Sequence, residues 1–407
     1  MASARADASS SAAASEAADV VVVGGGIMGL HVAWSLAAAR VGRVVLFEKR
    51  RFGAGESGKS GAILRQHYSH ETLIRMARAS LARYRELHER TPGGIGFTNA
   101  GMAFVAAAAD RDSLARNVAL QRRCGVAVET LDAAALRRFE PRARFADDAC
   151  GAFEPEASFV VPHPTLAAVA AQARAAGATL HEGRGVAELE SDGARRITGV
   201  RLTDGTRVAT RTLIVCGGPW SAALLAQVGS DLPLQAIRPE QAFFIAPAGH
   251  GTERCIWADL ERGLYWKSEA TGFTRVGNLP YDQDEKVADP DRYDEGVSGA
   301  FLADCRSRLA ARVPAYSDSI CWGGVSALYT VTPDAQALIG PVPATSGLFV
   351  VSGFSGHGFK LGPSVGVGVA ALVTGGDPGP LEPAFFAPDR FARGQAQSGA
   401  YGFSVLG

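Results

Sequence analysis

At 407 residues the chain exceeds what one hydrophobic core usually serves, so two intimately joined domains are expected. Its 41 Lys and Arg balance 41 Asp and Glu, so nothing in the overall charge points to a nucleic acid or an anionic membrane surface as a partner. The six cysteines (124, 150, 216, 255, 305 and 321) are scattered without a CxxC pair, which argues against a metal site or a disulfide framework and for a reducing, cytoplasmic compartment.

Residues 1–18 are an Ala/Ser-rich tail, expected to be a disordered extension, with a targeting peptide as the open alternative; Asp7, Glu16 and the serines do not fit a secretory signal peptide. No apolar stretch is long and uninterrupted enough for a membrane span. Within residues 19–24 the continuous β-branched run Val20–Val23 is the pattern of a buried parallel strand. A glycine turn, GGGIMG (24–29), leads into a helix through about residue 39 and a second strand, RVVLFEK (43–49). Residues 71–90 have the spacing of an amphipathic helix, followed by weaker helices at 111–124 and 132–138. The segment 160–177 reads as a proline-started helix that ends at Gly177. Short strand-like segments follow, with a hairpin turn at Asp204-Gly205, and TLIVCGGPWS (212–221) is again a strand running into a glycine turn. Residues 226–320 alternate strand-like runs and polar loops without a 3.6-residue period. From Trp322 the glycine-rich style returns, and residues 350–373 form a strand, a tight glycine turn and a helix.

The predicted class is α/β. A Rossmann-like domain is discontinuous over 19–95, 150–225 and 322–395, and a mostly antiparallel-sheet substrate domain is inserted over 96–149 and 226–321.

Two motifs carry chemistry. In Gly24-x-Gly26-x-x-Gly29 the first glycine permits the turn, the second admits a pyrophosphate to the backbone and the third lets helix and strand pack. Glu48, at the end of the next strand, is placed to accept hydrogen bonds from ribose hydroxyls. This fits NAD or FAD equally. The second glycine turn, GFSGHGFK (353–360), offers free N–H groups at a helix N-terminus and contributes Lys360, a cation at a substrate position.

After Glu48 the Gly/Ser-rich loop 49–68 departs from a regular βαβ series, and here the sequence resembles the D-amino-acid-oxidase-like flavoprotein superfamily, nearest to the sarcosine oxidase and dimethylglycine dehydrogenase group. The resemblance spans nearly all of the chain after residue 18. It rests on GGGIMG, Ile63-Leu64-Arg65, GGPWS (217–221), ALYTVTPD (327–334), IGPVP (339–343) and GFSGHGFK. It implies FAD, held by Gly24, Gly26, Ile27, Met28 and Gly29, with Glu48 on the ribose beside Lys49. Ser57, Ser60 and Gly61 would lie along the pyrophosphate and flavin, and Val186 would meet adenine through its backbone. Gly217, Gly218 and Trp220 would line the cofactor, and Gly356, His357 and Gly358 would face the flavin. Arg65 and Lys360 stand where the group grips a substrate carboxylate, and Tyr329 matches a substrate-contacting tyrosine. Arg275 falls near the lysine that oxygen-using relatives hold over the flavin. Ala327 replaces the cysteine that anchors flavin in some relatives, and Lys59 stands near an anchoring histidine of others; Cys321, six residues upstream of Ala327, is a poor substitute, so non-covalent FAD is expected.

The implied reaction is oxidation of an amino acid or N-alkyl amino acid, with hydride transfer to flavin N5 and hydrolysis of the resulting imine. An Arg and a Lys on the carboxylate would fix the C–H over the acceptor. O₂ or another acceptor would reoxidise the flavin. Two alternatives stay open: a 2-hydroxy-acid dehydrogenase or oxidase with His357 as base, and a flavin-bearing subunit of a larger complex. Oligomerisation is also open. Trp257, Trp266 and Tyr265 belong to either the pocket or the core.

Overall fold

A computed structural model describes residues 16–250, 255–269, 272–281 and 284–399. Its central sheet has six strands, in the order Thr179–His181, Val44–Phe47, Val20–Val23, Thr212–Val215, Leu348–Ser352 and Leu338–Pro341. The first five run parallel and the last is antiparallel. Side chains alternate across a strand, so Val20 and Val22 enter one core cluster and Val21 and Val23 another. Both faces of the sheet are covered, which is why this strand reads as unbroken valine. Helices Ile27–Ala38, Pro162–Ala175 and Gly362–Thr374 pack on one face. The other face carries a four-stranded sheet that includes the hairpin of Ile197–Leu202 and Arg207–Ala209, turned at Gly205.

Residues 1–15 lie outside the described residues. Glu16–Ala17 pair in parallel with Val208 and Ala209, so these two residues of the expected tail form a strand.

The second sheet has eight strands, from Cys321–Ser326 at one edge to Glu129–Asp132 at the other. Its neighbours are antiparallel except Ile256–Asp259 beside Met102–Ala106. Strands Cys150–Glu154 and Cys321–Ser326 belong to this sheet, whereas the sequence reading gave residues 150–154 and 322–326 to the Rossmann-like domain. A helix at Gly299–Arg312 was also not foreseen in this region. Its buried face is Cys305, Leu309 and Arg312. The guanidinium of Arg312 meets Asp259 through Nε–Oδ2 at 2.6 Å and Nη2–Oδ1 at 3.1 Å, so a core-facing position is written in charge and breaks the apolar period.

The C-terminal segment is tied down by a second buried pair. Arg390 reaches Asp334 through Nη2–Oδ1 at 2.7 Å and Nε–Oδ2 at 2.8 Å, and also donates to the Gln336 and Ala337 carbonyls. Removing one partner of such a pair leaves an uncompensated charge, so Arg390→Ala is expected to cost about 3–5 kcal/mol in a denaturant titration. An unchanged unfolding midpoint would contradict that role.

Candidate active site

The carboxyl ends of the parallel strands open into one cavity of about 520 Å³. This is where an open α/β sheet binds ligands, beside the strand from which connections leave in both directions. The far wall comes from the eight-stranded sheet and its loops, through Met102, Gln241, Tyr265 and Leu279. All of the predicted cofactor residues line this cavity except Gly29 and His357.

At one end the backbone forms a cradle. Gly24 has φ +107°, and a Cβ there would lie 2.5 Å from the Cys216 carbonyl oxygen. A Cβ on Gly29 would lie 1.9 Å from the Gly24 carbonyl oxygen, so Gly29 serves helix–strand packing. The helix that follows has no side-chain cap of its own; the Ile27 N–H donates to Ser57 Oγ at 3.0 Å. Glu48 Oε2 accepts the Gly25 N–H at 2.7 Å and Oε1 accepts the Arg50 N–H at 2.8 Å, which fixes the carboxylate at the rim. A positive helix end, close backbone approach and a fixed carboxylate are the donor and acceptor set for a diphosphate and a ribose.

Asp291, from a loop of the inserted region, spans this end. It takes Lys49 Nζ and Arg50 Nη2 at 2.6 Å and the Trp220 indole N–H at 3.0 Å. Lys49 also lies 4.0 Å from the Trp220 ring centroid. Nearby, Lys59 Nζ bonds Tyr293 Oη at 2.8 Å and Glu295 Oε1 at 2.9 Å. Ser60 Oγ accepts the Ala62 N–H at 3.0 Å.

Two cations also line the cavity, and both are buried. Arg65 donates through Nη1 to the His67 carbonyl, and its guanidinium stacks 4.3 Å from the Tyr68 ring centroid. Lys360, in the turn Phe359–Leu361, donates from Nζ to the His357 carbonyl at 3.2 Å. Burial, and then the Arg65 charge, hold the Lys360 ammonium well below its usual range, while Glu154 acts the other way. Glu154 was not foreseen. It is fully buried, accepts the Gln66 N–H at 2.7 Å and the Gln121 amide at 3.2 Å, and burial pushes its carboxyl up to about 7.

Tyr329 lines the same space. A Cβ on Gly356, at φ +84°, would lie 2.5 Å from its ring. Burial holds the Tyr329 phenol well above its usual range and pushes Tyr265 up to about 12, so both are neutral hydroxyls. Of the three aromatics left open, Tyr265 lines the cavity, whereas Trp257 and Trp266 stack at 5.6 Å within a core cluster.

Two expected residues are placed elsewhere. The His357 ring is buried behind the loop, with Nε2 2.9 Å from the Ala335 carbonyl and Nδ1 3.4 Å from Tyr68 Oη. A carbonyl only accepts, so Nε2 carries the proton and Nδ1 accepts from Tyr68. Burial, with Lys360 adding to it, lowers this imidazole to about 3, which keeps it neutral. Arg275 does not line the cavity; its Nε binds Glu269 at 2.5 Å, Nη1 bonds Gln241 and the Lys59 carbonyl, and its Cδ lies 3.7 Å from a Cβ built on Gly61. Glu269 also takes the buried Lys267 at 2.8 Å. All six cysteines are free, and Ala327 lines the cavity.

The fold and cavity define a dinucleotide-binding α/β protein, and comparison with known proteins gives its class, an FAD-dependent oxidoreductase. Residues 19–372 match the family model described as FAD dependent oxidoreductase, and the chain belongs to that family. It is 29% identical over 360 residues to glycine oxidase of Geobacillus kaustophilus, covering 86% of this chain and 91% of that protein. It is 26% identical to human peroxisomal sarcosine oxidase, over 84% of this chain and 89% of the relative. Against 4-methylaminobutanoate oxidase (formaldehyde-forming) of Paenarthrobacter nicotinovorans the identity is 27%, and the match spans 88% of this chain but 44% of that relative's length. Among solved structures, L-proline dehydrogenase from P. horikoshii superposes with a TM-score of 0.85 at 24% identity, over 94% of this chain and all of that one.

Gly356 offers a direct test of this part of the site. A non-glycine residue in the left-handed region costs of order 1–3 kcal/mol, and here the methyl also meets Tyr329. Gly356→Ala is expected to lower the unfolding midpoint, and by clearly less in a Tyr329→Ala background. Equal costs in the two backgrounds would show that the ring and the glycine are not coupled.

Proposed function

We propose that this chain oxidises an amino acid or N-alkyl amino acid, using non-covalently held FAD, with the substrate carboxylate bound between Arg65 and Lys360. The observation that carries this reading is the pair of buried cations that line the same cavity as the dinucleotide cradle. When bound, FAD supplies the two-electron acceptor. The cradle of Gly24–Met28, with Glu48, Ser57 and the Gly217–Gly218 turn, would hold it.

The residues of the chain do the positioning. An entering carboxylate offsets the repulsion between Arg65 and Lys360 and favours the charged form of Lys360. The planar guanidinium and the ammonium fix the orientation of the carboxylate, and so of the C–H bond beside nitrogen. Tyr265 and Tyr329, neutral at physiological pH, wall the site and offer hydroxyls to the amine. The hydrogen on that carbon leaves as hydride to the two-electron acceptor that FAD would supply, the nitrogen lone pair closes the C=N bond, an N–H proton passes to solvent, and water converts the released imine to a carbonyl and an amine, or ammonia from a primary amine. The position of Ala327, with no thiol to form a flavin bond, supports non-covalent binding. The six free thiols suit a reducing compartment, and we place the enzyme in the cytoplasm. The electron acceptor is O₂ or another oxidant. The 2-hydroxy-acid alternative required His357 as a base against substrate; the engaged, neutral ring behind the loop does not favour it.

The test is anaerobic bleaching of the flavin spectrum with a panel of primary, cyclic and N-methyl amino acids and their hydroxy analogues, followed by admission of air. Amine-bearing carboxylates are expected to bleach it and hydroxy acids not. Loss of one partner of a buried charge pair costs about 2–5 kcal/mol, so Arg65→Ala should lower kcat/KM by roughly 30-fold or more. Unchanged kcat/KM in Arg65→Ala would remove the clamp, and bleaching by hydroxy acids alone would overturn the amine reading.

A further inference from the structure

Glu56 opens the short helical turn Glu56–Lys59 in the loop that leads to Arg65. Buried polar atoms without a hydrogen-bond partner occur on nine side chains among the described residues. Glu56 is the one of these nine that lines the cavity, and its orphan atom is the carboxyl oxygen Oε1. The carboxyl rests on the turn after Thr212–Val215: a Cβ on Gly218 would lie 3.1 Å from Oε2. The next residue, Ser57, holds the Ile27 N–H at the start of the Ile27–Ala38 helix. The Glu56 carboxyl therefore lies against the Gly217–Gly218 turn, in the cavity that the cradle lines and one residue before the serine that meets the helix N-terminus.

An ionised carboxylate is poorly matched to that place. One oxygen would remain sealed from water and unpaired, which costs more for a charged group than for a neutral one. A diphosphate seated on the helix end would add like-charge repulsion. A proton on the carboxyl removes both problems, because the O–H then donates to an anionic oxygen. Two charged groups face the carboxyl: Glu48 from the end of Val44–Phe47, and Lys59 from its own turn. Burial, the largest influence, and then Glu48 favour the proton, whereas its own backbone N–H and Lys59 oppose it; the balance brings the group up to about 7.

We infer that Glu56 is a cofactor-binding residue that works as a neutral acid, donating its O–H to a diphosphate oxygen of FAD. This rests on the FAD reading of the cavity and extends it to a proton-linked affinity. Binding favours the protonated form, so the folded, FAD-bound group has the higher pKa. Affinity is then full at pH values below the titration of the free site and falls as pH rises through and above it.

The holoenzyme is diluted at about pH 6, 7, 8 and 9, and released FAD is read from the recovery of flavin fluorescence, for wild type, Glu56→Gln and Glu56→Ala. Far-UV circular dichroism checks that each variant is folded. Wild type should bind FAD at least about tenfold more weakly at the alkaline end, since affinity linked to one proton changes up to tenfold per pH unit. Glu56→Gln, whose amide donates at every pH, should hold affinity near the acid-limit value with a flat profile. Glu56→Ala should bind more weakly than wild type at about pH 6. Parallel pH profiles for wild type and Glu56→Gln, or wild-type affinity in Glu56→Ala at about pH 6, would overturn the proposal. A wild-type chain that takes up no FAD would overturn the cofactor reading and this proposal together.

Discussion

Two positive side chains share one buried space. Arg65 and Lys360 are each nearly sealed from solvent, and each disfavours the charge of the other. The fold tolerates this because several partners share the load: the His67 and His357 carbonyls, the face of Tyr68, and the carboxyl of Glu154 one layer behind. None of these supplies an anion at the cavity surface. On the proposed reading the substrate carboxylate does, and the binding energy so released is available to orient the bond that reacts.

The architecture explains how residues 295 positions apart (360 less 65) come to meet. Arg65 follows the loop after Val44–Phe47, and Lys360 follows the turn after Leu348–Ser352. Both strands belong to the same parallel sheet, so both turns leave from its carboxyl edge. Each turn needs backbone shapes that a side chain would block, most clearly at Gly24 and Gly356. The eight-stranded sheet then closes the opposite wall, and its Asp291 loop reaches back to Lys49, Arg50 and Trp220.

What could be read from the sequence follows from how local each signal is. The Val20–Val23 strand, its glycine turn and the Glu71–Arg90 helix are short-range patterns, and the structure has them where the pattern put them. The Gly299–Arg312 helix was hidden because its core-facing end is an arginine that finds Asp259 across the fold. Glu154, Asp291 and Lys267 were equally hidden, since a lone carboxylate or lysine shows nothing of its partner in sequence. His357 misled for the opposite reason. It lies inside the informative glycine turn, yet the backbone directs its ring toward Ala335 and Tyr68 and leaves the cavity to its glycine neighbours. Glu56 sat in full view within the Gly/Ser loop, but only one enclosed, unpartnered carboxyl oxygen marks it.

The central claim is that the buried cations form a carboxylate clamp, and the most direct measurement is a crystal structure of the FAD-loaded chain with an amine-free carboxylate analogue. The account predicts the carboxylate oxygens within hydrogen-bond distance of both the Arg65 guanidinium and Lys360 Nζ, beside Tyr329. A carboxylate bound elsewhere in the cavity, out of hydrogen-bond reach of both Arg65 and Lys360, would contradict it.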